Sequence, residues 1–172
     1  MSDWKDLALW MFGDVRKRDG FWYSHQLLEI DGLTEDQLFW VPEPNGLCIL
    51  WHVGHVAHRE RLHIGRFLQG LTGTIIPPQY EVFGADWCST EQLRHSISSV
   101  QAVLAWGQDV RESSRDYIAS LTDEDFQAVS LTTDLDLSVG YWLFITAAHT
   151  ALHIGRIQLL RALIEGNHER PC

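Results

Sequence analysis

The segment Ser138-Val139-Gly140-Tyr141-Trp142-Leu143-Phe144-Ile145-Thr146-Ala147-Ala148-His149-Thr150-Ala151-Leu152-His153-Ile154-Gly155-Arg156 continues through a further apolar stretch to Glu165 and then meets Gly166-Asn167. It reads as a single helix. Ser138 supplies an N-cap acceptor, no proline interrupts the run, and Gly166 suits the left-handed residue that closes a helix. At about 100° per residue, His149 and His153 share a face with Trp142, Ile145, Leu152, Leu160 and Leu163. The pair therefore lies in the apolar stripe and points inward. Two imidazoles buried without partners are costly, and either a shared metal ion or hydrogen bonds to neighbours offset that cost. Histidines at i, i+4 are close enough to share one ion, but two ligands define no site.

Three more stretches read as helices. The first runs from about Trp4 to Ile30, capped by Ser2 or Asp3 and stopped at Asp31-Gly32, with Gly13 and Gly20 as its weak points. The second runs from about Leu47 to Gln69, capped from Asn45 or Gly46 after the break at Pro42 and Pro44. The third opens at the capping box Ser89-Thr90-Glu91-Gln92 and runs to about Ser120. Thr34-Glu35-Asp36-Gln37 and Thr122-Asp123-Glu124-Asp125 each open a short helical turn. A loop spans Gly70 to Cys88, and Gln127 to Leu137 is expected to be extended. The pattern predicts an all-α four-helix bundle filling one domain, residues 1–172.

Composition narrows the function classes. The 172 residues are 45% hydrophobic and 21% charged, which excludes disorder. A formal charge of −10 disfavours nucleic acid as a partner. Three cysteines without CxxC spacing argue against a disulfide framework or a thiolate zinc cluster. The N-terminus lacks the pattern of a signal peptide, and no apolar run approaches the ~20 residues needed to span a bilayer. The expectation is a cytoplasmic protein with no membrane partner. Nine histidines are the candidate chemistry.

The third ligand for His149 and His153 should come from a facing helix. The second helix offers His52, His55, His58 and His63. Its main stripe of Ile49, Leu50, Val53, Val56, Ala57, Ile64 and Phe67 lies nearer His52 and His63 than His55. His58 and His63, five apart, diverge by roughly 140° and cannot chelate as a pair. A short internal echo points elsewhere: Ala57-His58 before Leu62-His63-Ile64-Gly65-Arg66 parallels Ala148-His149 before Leu152-His153-Ile154-Gly155-Arg156.

The run Cys48 to Glu60, with His55-Val56-Ala57-His58-Arg59-Glu60 at its end, resembles the second-helix motif of the DinB-like (DinB/YfiT) superfamily of metalloenzymes. Ser138 to Arg156, with two histidines four apart and a Gly after the second, resembles that family's fourth-helix motif. The likeness covers nearly the whole chain in helix order and length. It implies an up-down-down-up four-helix bundle and a divalent-metal site of His55, His149 and His153, against the wheel's preference for His52. Two residues depart from the family pattern: Arg156 stands in place of Gln, and Thr150 in place of a frequent Glu. Without that Glu there is no HExxH-type base.

Three neutral imidazoles leave a coordination position open, and all-imidazole ligation suits zinc or nickel. Relatives include enzymes that use low-molecular-weight thiols, so the resemblance implies thiol S-transferase-like chemistry on a small electrophile, or metal-assisted hydrolysis. Glu60 is a candidate proton acceptor, with a salt bridge to Arg59 or Arg156 as the structural alternative. Arg156 is a candidate clamp for a substrate carboxylate. Trp51, Trp87 and Trp142 are candidate pocket walls or core residues. The non-catalytic alternative is a metal-held bundle or dimerisation module. The tryptophan-rich surface points to a homodimer.

Overall fold

The computed structural model describes residues 3–13, 29–43, 45–130 and 135–166. Among these the fold is all-helical, with one isolated antiparallel bridge between Val129 and Ser138 and no strand. We number the α-helices α1 (Asp3–Phe12), α2 (Glu35–Leu38), α3 (Ile49–Glu60), α4 (Thr90–Ser96), α5 (Val100–Ser120), α6 (Asp123–Gln127) and α7 (Val139–Ile164). A π-helix, Arg61–Leu68, continues α3, and a 3-10 helix spans Pro78–Gly84. Among the described residues no helix is long and apolar enough to cross a membrane.

Local chemistry sets most boundaries. Thr34, Ser89 and Thr122 each form a reciprocal capping box with the residue three positions on. Ser138 caps α7 by accepting from the Tyr141 amide, and Gly166, at φ 67°, follows its end. Three expectations change. The first helix does not continue through Gly13: α1 stops there, with Gly13 at φ 66°. Its terminal carbonyls are taken by arginines of α5, Phe12 by Arg111 and both Leu9 and Gly13 by Arg115. Ser2 and Gly20 lie outside the described residues, as do residues 131–134 of the expected extended segment. The third helix divides at Ile97, because Ser99 turns its side chain onto the Ala102 amide and starts α5 afresh. The second helix is capped at Cys48 without a side-chain hydrogen bond, rather than from Asn45 or Gly46, and its last 8 residues are π.

Helix α3 sits at the centre. It packs against α5, α7 and the 3-10 segment, and every residue from Ile49 to His58 is buried. A helix enclosed on all sides has no single apolar stripe. One core cluster surrounds it, with Ile49, Leu50, Phe83, Leu93, Val103 and Ile157 fully enclosed. A second joins Phe12, Ile118 and Leu143 between α1, α5 and α7. The 3-10 segment docks on α3 through two glycines. A Cβ on Gly54 would overlap the Phe83 ring, and one on Gly84 would overlap the His58 ring.

That close approach carries a prediction. Gly54→Ala gains about 1 kcal/mol of helix propensity but overpacks Phe83 at a cost of about 1–3 kcal/mol. Thermal unfolding followed by circular dichroism should show a lowered melting temperature; an unchanged or raised one would show that Phe83 yields freely.

Candidate metal centre

His55 of α3 and His149 and His153 of α7 converge, each offering a ring nitrogen, with these atoms all within 4.8 Å of one another. His55 and His153 are buried and His149 is half-buried. The i, i+4 spacing on α7 brings Nε2 of His149 and Nε2 of His153 to 3.1 Å. Two ligands of a tetrahedral ion, at about 2.0–2.1 Å each, sit about 3.3 Å apart, so this pair is already close to chelating geometry.

For His55 and His153 the other ring nitrogen is held from behind. His55 Nδ1 lies 2.6 Å from the carbonyl oxygen of Phe83. A carbonyl only accepts, so Nδ1 carries the proton and Nε2 keeps its lone pair. Trp51 stacks on the His55 ring, centroids 4.4 Å apart. His52 Nδ1 lies 2.9 Å from His153 Nδ1. With Nε2 of His153 kept free, His153 Nδ1–H donates and His52 accepts. His52 thus stands behind His153 rather than among the converging nitrogens. These backing contacts are the kind that orient metal-ligating histidines.

The cluster opens onto a cleft of about 440 Å³ whose lining includes Trp51, Arg59, His63, Asp86, Leu152 and Arg156. Arg156 is exposed at the rim, and Arg59 donates to the Gly84 carbonyl. Leu152 and Leu163, expected in the buried stripe of α7, are exposed. Trp142 is buried in the core, and Trp87 is exposed and donates to the Asn45 carbonyl.

Glu60 is not at the cleft. Its Oε2 lies 2.5 Å from Arg111 Nη2 of α5, both side chains almost wholly enclosed. Burial pushes its pKa up, and Arg111 opposes that rise. Its partner is therefore neither Arg59 nor Arg156. His58 also faces away, packed on Gly84 with Nε2 3.5 Å from the Glu81 carboxylate. Two contributors escaped sequence reading. The Phe83 carbonyl comes from a distant loop and leaves no side-chain signal. Thr146, which contacts His63, lies three residues before His149 and so on its face of α7.

Burial lowers the pKa of His52, His55, His63 and His149 from 6.5 to about 4, and that of His153 further, to about 2. Repulsion from Arg156 adds to the effect at His52, His55, His149 and His153. All five rings are neutral at pH 7, as metal ligation requires. The residues present therefore fit a divalent ion.

In the metal-free protein the same shifts make stability depend on pH. Above pH 6.5 neither state is protonated at these rings. As pH falls from 6.5 towards 4, the unfolded chain takes up protons that the fold refuses, so stability falls; below about 4 the slope flattens as most of the folded rings titrate too. Each proton fully withheld costs about 1.4 kcal/mol per pH unit, or roughly 3–6 °C in melting temperature. Melting curves of chelator-treated protein between pH 7.5 and 4.5 should show this decline; a flat profile would contradict the neutral, buried cluster.

A family model described as the DinB superfamily matches residues 24–157, which include α3 and all three converging histidines. No curated protein and no solved structure matches the chain. With a match over most of its length, and a three-histidine cluster compatible with metal binding, this chain belongs to the DinB superfamily.

Proposed function

We propose that the protein is a divalent-metal-dependent enzyme with His55, His149 and His153 as ligands and zinc or nickel as the ion. The observation that carries this reading is the convergence of three neutral ring nitrogens at a cleft open to solvent. A closed structural site would have no such opening. His55, His149 and His153 would hold the ion, and the chemistry it would supply there is Lewis acidity towards a water or thiol admitted by the cleft. The chain's own residues supply the rest. Arg156 at the rim presents a guanidinium to the carboxylate of a small electrophile. Arg59 adds a second positive charge to the same cleft. Trp51 and Leu152 provide apolar wall for the remainder of the substrate. Glu60 has no part in this mechanism, because Arg111 holds it in the core. The reaction we infer is transfer of a low-molecular-weight thiol to a small electrophile, with hydrolysis as the neighbouring chemistry. The helices take the up-down-down-up order of a four-helix bundle.

Protein purified without a polyhistidine tag should carry roughly one zinc or nickel ion per chain by elemental analysis. His55→Ala, His149→Ala and His153→Ala should each lower affinity by orders of magnitude. His52→Ala should lose about 10–100-fold at most, and His58→Ala almost nothing. Folded protein that rejects both metals would refute the metal reading. Metal-loaded protein inert towards a panel of thiols, electrophiles and esters would favour the non-catalytic bundle.

We also propose a homodimer through α1 and α7. Trp4, Trp10, Tyr141 and Phe144 are exposed there, and an apolar groove of about 410 Å³ lies between them and α6. Light scattering at micromolar concentration should give twice 19.7 kDa; a monomer mass would overturn the dimer.

A further inference from the structure

On the reading that the three-histidine cluster holds a metal, we propose that His63 is the hydrogen-bond acceptor for the proton-bearing ligand, an O–H or S–H group, that enters the cleft, and that Thr146 fixes it in that role. His63 lines the cleft beside His55, His149 and His153 but is not one of the converging three. Its ring centroid lies 6.4 Å from that of His149. It belongs to the π-helix, where each turn takes one residue more than in α3. Phe67 and Trp142, with centroids at 5.8 and 5.3 Å, flank the ring and fix its plane.

The direction of the proton follows from two contacts of one hydroxyl. Thr146 Oγ1 lies 2.8 Å from the Trp142 carbonyl oxygen and 3.0 Å from His63 Nδ1. A threonine hydroxyl has one hydrogen, and a carbonyl can only accept. If that hydrogen pointed at His63, two oxygens would face each other at 2.8 Å with nothing between them. Both contacts are satisfied in one arrangement only: Thr146 donates to Trp142 and accepts from His63 Nδ1–H. A neutral imidazole carries one proton, so Nε2 of His63 holds a lone pair. Nε2 has no hydrogen-bond partner among the described residues and is not among the enclosed unpartnered atoms, and the half-buried ring lines the cleft. His58, which faces away, has the Glu81 carboxylate beside its Nε2 instead of a hydroxyl at Nδ1. The result is an acceptor aimed at whatever O–H or S–H group the cleft admits, with its tautomer set by α7 rather than by solvent.

The test begins with the metal-free full chain, labelled with 15N-histidine. Long-range 1H–15N correlation spectra at pH 7.5 should show His63 protonated at Nδ1 and bare at Nε2. Thr146→Val, which keeps the side-chain volume but removes the acceptor, should shift His63 towards the Nε2–H form that an unconstrained histidine side chain favours in water; Thr146→Ser should restore the wild-type pattern. The second part uses zinc-loaded protein and 2-mercaptoethanol as the probe, followed by calorimetry. His63→Phe should leave zinc affinity close to wild type while thiol affinity falls about 3–10-fold, the loss of one neutral hydrogen bond. Wild-type His63 found as Nε2–H, or thiol affinity unmoved in His63→Phe, would overturn this inference. Zinc affinity collapsing in His63→Phe would make His63 a ligand instead and overturn it as well. Failure of the wild type to bind zinc would overturn the metal reading, and the tautomer spectra would still score the proton assignment separately.

Discussion

Five imidazoles packed between α3, its π extension and α7 must stay neutral, and their inward-facing nitrogens need partners in a low-dielectric interior. The chain meets this with groups that are already part of the fold. His55 leans on the Phe83 carbonyl, His63 on Thr146, and His52 on His153. The pairing leaves ring nitrogens of His55 and His153 facing those of His149, all within 4.8 Å of one another. The same contacts that satisfy the buried rings also decide which nitrogens are left for a ligand. Partnering and preorganisation are one event here.

The surroundings serve that arrangement. Gly54 lets Phe83 approach α3 closely enough for its carbonyl to reach His55. At the junction between α3 and the π-helix, Glu60 is tied to Arg111 of α5, and Arg111 also holds the last carbonyl of α1. An enclosed ion pair of this kind is weak evidence for stability, but losing one partner would strand a charge, so it strongly disfavours other packings at this point. The helix that carries two of the clustered groups, α7, is tied at its far end by Arg161 to the carbonyls of Glu29 and Asp31.

The two departures from the family pattern also acquire a physical meaning. Thr150 is buried and returns its hydroxyl to the Thr146 carbonyl, so it contributes no proton acceptor to the cleft. Arg156, exposed beside the histidines, changes the charge of the rim from neutral to positive. A Gln there would offer hydrogen bonds without a charge, whereas Arg156 adds a positive one. Its charge also disfavours protonation of the neighbouring rings.

The sequence by itself determined what depends on neighbours in the chain. The capping boxes at Thr34, Ser89 and Thr122 and the cap at Ser138 mark helix starts because a side chain competes for amides three residues away. His149 and His153 lie together because four residues make roughly one turn. The choice between His52 and His55 could not be read from periodicity. Helix α3 is enclosed on every side, so its apolar pattern carries no direction, and only the short motif pointed to His55. The stop at Gly13, the fresh start at Ser99 and the π turn after Glu60 each required partners remote in sequence or a local competition too fine to weigh from residue types. Glu60 looked like a site residue because it closes the motif that begins at His55 and lies near the apolar stripe of its helix; its partner is 51 positions away, Arg111. Tertiary structure decided these points because a buried polar group takes whichever partner the packing brings within reach, and that partner need not be near it in the chain.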